Sequence, residues 1–177
     1  MNALVSLLVF CQALGALGGA FAVIWGELAY VRSVRDGTID AAERAHLRVI
    51  ANGLRFGMVL MLLSSFGLII VDYLVHGMQQ PALSTSYWVL IVLVFLVIGV
   101  SWALSRRRVS FSLGSAILFA AWWFLAYLTL GWMPPLSFSA AAAFFVVATA
   151  IFYAVLQSAR FFALSSTMHR HLAQRVK

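Results

Sequence analysis

Charged side chains are scarce in this sequence. Only 10% of its 177 residues are Asp, Glu, Lys or Arg, whereas a soluble globular domain carries about 25%. Hydrophobic residues make up 64% of the chain. They occur in uninterrupted runs of about 20 residues or more, a length that crosses a hydrocarbon core of roughly 30 Å as a helix. The composition excludes an ordinary soluble domain, and lipid is the expected solvent.

Cysteine and early basic residues are also lacking. The single Cys11 excludes an intrachain disulfide and gives no information about the redox compartment. The first residues, Met-Asn-Ala-Leu, contain no Lys or Arg, and the apolar run after them is longer than the core of a secretory signal peptide. We therefore expect this run to remain in the protein as a transmembrane helix.

Recognisable catalytic and cofactor-binding patterns are absent. No Ser/His/Asp set, zinc-protease motif or phosphate-binding loop occurs, and all four histidines fall outside the centres of the apolar runs, which argues against bis-His haem. The formal net charge of +7 does not indicate nucleic acid, because the basic residues lie between and after the apolar runs. The sequence predicts neither an enzyme nor a bound cofactor.

Five apolar runs predict an all-α, polytopic helical bundle. The third run, SYWVLIVLVFLVIGVSWALS, is apolar on all sides, unlike a soluble amphipathic helix. One transmembrane domain is predicted over residues 1–164, with a cytoplasmic hairpin at 31–52 and a basic cytoplasmic tail at 165–177. The predicted spans are 3–30, 53–75, 86–105, 110–132 and 137–162.

The basic residues predict the orientation of the chain, because cytoplasmic loops retain Lys and Arg. All twelve lie in or beside the first and third connections or in and after the end of the fifth span, and the connections HGMQQPALSTS and MPPLSFS contain none. This asymmetry predicts an outside N-terminus and a cytoplasmic C-terminus in the inner (plasma) membrane, with the lipid bilayer as the first partner.

Small residues form a stripe on each of the first two spans. Such stripes let two helix backbones approach closely in lipid, and they predict a tight antiparallel hairpin of spans 1 and 2. Gln12 lies on the first stripe, so a narrow polar path is the alternative interpretation. The predicted packing residues are Gly15, Gly19 and Gly26 in span 1, and Gly53, Gly57 and Gly67 in span 2.

Polar residues gather at the predicted cytoplasmic ends of three spans. Ionisable groups in lipid are costly, so they usually pair or face a cavity, and Glu27 is expected to pair with Arg55 or Arg160. One interpretation is a pocket for an anionic or polar ligand. The alternative is that the charges extend to the headgroups and fix the helix ends. The candidate ligand-binding residues are Glu27, Asn52, Arg55, Tyr153, Gln157 and Arg160.

A second candidate site lies at the predicted outer end of span 2. Asp72 and His76 are four residues apart on one helix face, and Met78 follows. Carboxylate, imidazole and thioether groups all bind metals, and a thioether suits copper(I). Two helix residues and a loop methionine do not complete a coordination sphere, so a structural helix-end pair is the alternative.

The stretch DGTIDAAE resembles the second half of a calcium-binding EF-hand loop. With Gly37 at the sixth loop position, the first and third ligand positions fall on Arg32 and Val34, which cannot bind calcium. The same residues predict a turn at Asp36 and Gly37, followed by a helix that Asp40 caps and that continues into span 2.

Residues 10–75 carry a family resemblance. The Gly-rich first span, the hairpin VRSVRDGTIDAAERAHLR and the span LRFGMVLMLLSSFGLII resemble small uncharacterised bacterial inner-membrane proteins. They are more loosely similar to the helical membrane domains of the copper-resistance CopD-like class. That resemblance implies copper handling near the outer face, for which this chain offers His76, Met78 and Met133.

Two functions follow from these patterns. The first is transport or permeation of a small solute or metal ion, as a homo-oligomer, because five spans with short loops leave little room for an internal route. The second is a non-catalytic accessory or scaffold subunit of a larger membrane complex, which docks through the hairpin. A cavity beside the charged cluster favours transport, and dry helix packing favours the accessory role.

Overall fold

Five helices make up the computed structural model of this chain. The structure describes residues 2–36, 41–76, 85–106, 108–132 and 136–175, with side chains described in the ranges 3–32, 51–71, 73–74, 85–106, 108–132 and 136–162. These residues contain no strand. The helices are α1 (Asn2–Asp36), α2 (Ala41–His76), α3 (Thr85–Ser105), α4 (Phe111–Thr129) and α5 (Phe138–Arg175).

Each helix is long and apolar enough to cross a membrane, which confirms the predicted all-α bundle of five spans. The shortest apolar stretch has 19 residues and is about 28 Å long at 1.5 Å per residue. The apolar stretches are Ala3–Arg32, Ala51–Val71, Thr85–Ser105, Phe111–Thr129 and Phe138–Phe162. Their ends lie within a few residues of the predicted ends.

Two helices extend well beyond their apolar stretches. α2 begins at Ala41, ten residues before its apolar stretch begins at Ala51, and it is continuous, as the interpretation of DGTIDAAE predicted. α5 continues through most of the predicted basic tail, as far as Arg175. The predicted turn at Gly37 and the cap at Asp40 lie outside the described residues.

α1 and α2 form the predicted antiparallel hairpin. Their contacts run in opposite directions along the two helices: Leu8 with Gly67, Gln12 with Ser65, Gly15 with Met61, and Gly19 with Gly57. A β-carbon on Gly15 would lie 2.8 Å from the carbonyl oxygen of Gly57. The backbones touch here, and only glycine permits that approach.

The predicted glycine stripe on α2 is too long by one turn. Gly53 is exposed, and no atom lies within 4 Å of the position that its β-carbon would occupy. The close approach therefore ends at Gly57. Gly26 of α1 is half-buried.

α4 is the central helix. It packs against α1, α3 and α5, whereas α2 packs mainly on α1. Half of the most apolar 18-residue segment of α4 is buried (50%), compared with 6% of the corresponding segment of α5. The indole of Trp122 lies against Gly19 so closely that a β-carbon on Gly19 would overlap the ring. Gly19 thus accommodates both α2 and α4.

A glycine ends α4 sharply. Gly131 has φ 68°, a left-handed conformation that glycine adopts without steric cost. The amide of Gly131 donates to the Leu128 carbonyl and that of Trp132 to the Tyr127 carbonyl, both at 3.2 Å, the two hydrogen bonds of a Schellman cap. The rings of Tyr127 and Trp132 meet edge to face with centroids 5.7 Å apart. At the start of α5, the Ser137 hydroxyl accepts from the Ala140 amide at 3.3 Å and caps the helix.

Candidate functional site

The predicted charge cluster contains an ion pair between the first helix and the last. Nη2 of Arg160 donates to both carboxylate oxygens of Glu27, at 2.9 Å and 2.7 Å. Both residues are 9% exposed. Of the two expected partners, Arg160 of α5 pairs with Glu27, and Arg55 of α2 does not.

Ser115 joins this ion pair from α4. The same Nη2 of Arg160 donates to the Ser115 hydroxyl oxygen at 2.7 Å. The hydroxyl in turn donates to the carbonyl of Ser112 at 3.1 Å. Ser115 is 6% exposed. The cluster therefore ties three helices together where α1 and α5 approach the ends of their apolar stretches and α4 begins.

Two aromatic rings cover the guanidinium group of Arg160. Its central carbon lies 5.0 Å from the ring centroid of Tyr30 and 5.3 Å from that of Phe111, within the range of a cation–π contact. These rings stack on each other with centroids 4.2 Å apart. Nε of Arg160 is buried and has no hydrogen-bond partner in the described part of the chain. One donor of the guanidinium is thus left over.

The pair is electrically neutral as a whole. Burying either charge alone in a medium of low dielectric constant costs several kcal/mol, and removing one partner of a buried pair typically costs about 3–5 kcal/mol. Each of these two charges is therefore tolerated because the other is present. The arrangement can hold α1 and α5 in one register.

The remaining candidate ligand-binding residues make no hydrogen bond to Glu27 or Arg160 in the described part of the chain. Asn52 and Arg55 are exposed on α2. Tyr153 and Gln157 are exposed on α5, where the Gln157 amide donates to the Tyr153 hydroxyl at 3.3 Å. The structure thus brings together two of the six predicted residues, Glu27 and Arg160.

The polar side chains between α1 and α2 are hydrogen-bonded within that interface. The Gln12 side chain donates to the Ser65 hydroxyl at 2.9 Å. The Ser65 hydroxyl donates to the carbonyl of Met61 at 2.8 Å, and that of Ser64 to the carbonyl of Leu60 at 2.7 Å. Such bonds between and along helices are typical of packing in lipid. They favour the packing interpretation over a polar path.

Most of the predicted metal site lies outside the residues whose side chains the structure describes. Asp72 and His76 belong to α2, but their side chains are not among those described, and Met78 is outside the described residues altogether. Cys11, on α1, is a free, partly exposed thiol. Among the described residues no three His, Cys, Asp or Glu side chains form a group that could hold a metal ion. The metal site remains a prediction.

A cavity of about 270 Å³ lies beside the ion pair, between α1, α4 and α5. Glu27 and Arg160 form its polar end, and its remaining walls are apolar, among them Ile24, Phe119 and Leu156. A second cavity of about 390 Å³ lies between α4 and α5 and is lined mainly by aromatic rings. Of these two cavities, the first combines apolar walls with charged groups.

The sequence patterns missed Ser115 and the role of the two rings. Ser115 sits in the small-residue stretch Leu-Gly-Ser-Ala, where a hydroxyl in a small-residue helix face is the only signal. Ser115 lies in the first turns of α4, and α4 begins at the same end of the bundle as Glu27 and Arg160. This position is a second indication that Ser115 belongs to the cluster. Tyr30 lies at the end of the first predicted span, and nothing in the sequence pattern indicates its contact with Arg160.

Comparison with protein-family models, with curated proteins and with solved structures finds no match to this chain.

Proposed function

We propose that this protein is a non-catalytic accessory subunit that scaffolds a larger assembly in the membrane. The observation that carries the proposal is the filled centre of the bundle. Trp122, Met61 and Leu125 are at most 1% exposed, and the backbones of α1 and α2 touch. A centre packed in this way supports a scaffold better than a route for a solute through one copy.

α5 offers the surface for assembly. Only 6% of its most apolar 18-residue segment is buried, and the helix carries the exposed polar side chains of Tyr153 and Gln157. Polar side chains within membrane helices commonly hydrogen-bond to a neighbouring helix. The extension of α2 from Ala41 to Ile50, in the predicted cytoplasmic hairpin, offers a second surface for a partner.

Site-specific photocrosslinking in native membranes tests the accessory role. A photoreactive residue at Ala154 of α5 should give one protein adduct of constant mass, and Gln157→Leu should weaken it. The matched control is the same photoreactive residue at Phe95 of α3, which is 68% exposed and should give lipid adducts. Lipid adducts alone at both positions would count against the accessory role.

Transport or permeation of a small solute or metal ion is the second candidate function. The cavity of about 270 Å³ beside a buried ion pair favours it, and a homo-oligomer would supply a route between copies. Flux measured in liposomes containing the purified protein tests it. Flux above that of empty liposomes, lost in Glu27→Gln, would support transport, and equal flux would reject it.

The proposed orientation has the N-terminus outside and the C-terminus in the cytoplasm of a bacterial inner membrane. Its support is the absence of Lys and Arg from the second and fourth connections. In a Cys11→Ala background, a reagent confined to the cytoplasm should label single cysteines at 36–45 and 106–108. Labelling at 78–85 from that side would reverse the orientation.

Copper handling is the function that the resemblance to the CopD-like class implies. Its support is the trio Asp72, His76 and Met78, whose donor atoms suit copper. Elemental analysis of protein purified from native membranes tests it. Stoichiometric copper that is lost on His76→Ala would support the assignment, and protein without copper after growth in copper would reject it.

A further inference from the structure

The cavity beside the ion pair has the features of a lipid-binding site, a property separate from the accessory role. It opens between α1 and α5, because Leu28 is 53% exposed and Ala159 is exposed, and both line it. Both residues belong to apolar stretches. The mouth therefore faces the bilayer, and a ligand enters from the lipid phase.

The polar end of the cavity lies near a membrane interface. Glu27 is five residues before Arg32, the first basic residue of the chain, and Arg160 is five residues before the polar run Ser165-Ser166-Thr167. At 1.5 Å per residue the pair is within about 8 Å of that interface. This is the depth of lipid ester and hydroxyl groups rather than of chain ends.

The charge balance restricts the head of the ligand to an uncharged group. Glu27 and Arg160 already neutralise each other at 2.7 Å. An anionic phosphate or carboxylate, or a cationic amine, would add an uncompensated charge in a site of low dielectric constant. Anionic and cationic headgroups are therefore disfavoured, and a zwitterionic headgroup would have to bring two further charges out of water.

The hydrogen-bonding capacity that is left over matches a hydroxyl group. A carboxylate has about four acceptor positions, and the described contacts of Glu27 come from a single nitrogen of Arg160. Glu27 thus has spare acceptor positions, and a hydroxyl group can donate to one of them.

The size of the cavity sets the size of the head. A volume of about 270 Å³ corresponds to roughly nine water molecules at about 30 Å³ each. That accommodates a glycerol-sized head and the first methylenes of one chain, which the apolar walls at Leu28 and Leu156 would contact. We propose that the cavity binds a neutral, hydroxyl-bearing lipid of the glyceride class, with its hydroxyl donating to Glu27.

Photolabelling of the full chain in phosphatidylcholine vesicles tests this site. The probe is a monoacylglycerol with a diazirine in its chain, and the labelled residues are mapped by peptide mass spectrometry. Labelling should concentrate in residues 24–31 and 156–160. It should exceed, by about tenfold, the labelling there by a phosphatidylcholine or a free fatty acid that carries the same photoreactive chain.

Two variants separate the cavity from the general lipid surface. Leu156→Trp fills the cavity and should remove most of the excess labelling, whereas Val155→Trp, at a neighbouring residue that is 56% exposed, should retain it. If Leu156→Trp does not fold, displacement of the probe from the unmodified protein by unlabelled monoacylglycerol, and not by phosphatidylcholine, supports the site.

Three results would overturn the proposal. Equal labelling by the phosphatidylcholine probe would mean that bulk lipid fills the cavity. Stronger labelling by the fatty acid would mean an anion site at Arg160. Unchanged labelling in a folded Leu156→Trp variant would place the probe elsewhere.

Discussion

Replacing Gly15 with alanine should destabilise the α1–α2 hairpin, although alanine is the better helix former. The added β-carbon would lie 2.8 Å from the Gly57 carbonyl oxygen and 3.0 Å from the Met61 amide nitrogen. Both are backbone atoms, so no side chain can rotate away. The first distance is about 0.7 Å shorter than the optimal separation of roughly 3.5 Å between non-bonded heavy atoms, and the helices must separate.

The magnitude follows from a matched pair of variants. Gly18 lies on the same helix, and its β-carbon would have no neighbour within 4 Å, so Gly18→Ala changes helix propensity alone, by up to about 1 kcal/mol in favour of the helix. Gly15→Ala has the same gain and adds an overpacking cost of about 1–3 kcal/mol. The two variants should therefore differ by the overpacking cost.

Thermal unfolding in detergent, followed by circular dichroism, measures this difference. With about 2–4 °C per kcal/mol for a chain of this size, Gly15→Ala should melt roughly 2–12 °C below Gly18→Ala. On α2, Gly57→Ala should be destabilising in the same way, and Gly53→Ala should not. Equal melting temperatures for Gly15→Ala and Gly18→Ala would refute the backbone contact between α1 and α2.

Three further predictions concern stability in detergent. Glu27→Gln should cost about 3–5 kcal/mol because it leaves the Arg160 charge buried alone, and adding Arg160→Gln should recover part of the loss; a second loss of equal size would mean that the two residues are not coupled. Trp122→Ala should cost about 3–5 kcal/mol, since the ring is 1% exposed; a cost below about 1 kcal/mol would contradict its central position. Gly131→Ala should cost roughly 1–2 kcal/mol because alanine is strained at positive φ, while Gly99→Ala, which has open space around it, should cost nothing; similar effects would argue against the left-handed cap.

The sequence predicts the helices well because lipid imposes a simple rule. An uninterrupted apolar run of sufficient length must satisfy its backbone groups internally, and a helix does so. The predicted end at Trp132 nevertheless overshoots α4, which ends at Thr129. The end of α4 depends on a glycine in a left-handed conformation, and composition alone does not locate it.

The partners of the charged residues were only partly predictable. Position along the helices put Glu27, Arg55 and Arg160 at one end of the bundle. That position does not tell which helix lies next to α1 at that depth. α4 and α5 approach the end of α1 that carries Glu27, and α2 packs on another side of α1 through its glycines. The choice of Arg160 over Arg55 is therefore a consequence of tertiary packing.

The ion pair also has a consequence for the order of events during synthesis. Glu27 and Arg160 are 133 residues apart in the sequence, and a ribosome adds about 5–20 residues per second, so the carboxylate precedes its partner by roughly 7–27 s. For that time α1 and its hairpin partner α2 carry an uncompensated acidic group. The last helix thus completes the first, and a chain released before Arg160 is made would retain an unpaired charge by which quality control could distinguish it from the finished protein.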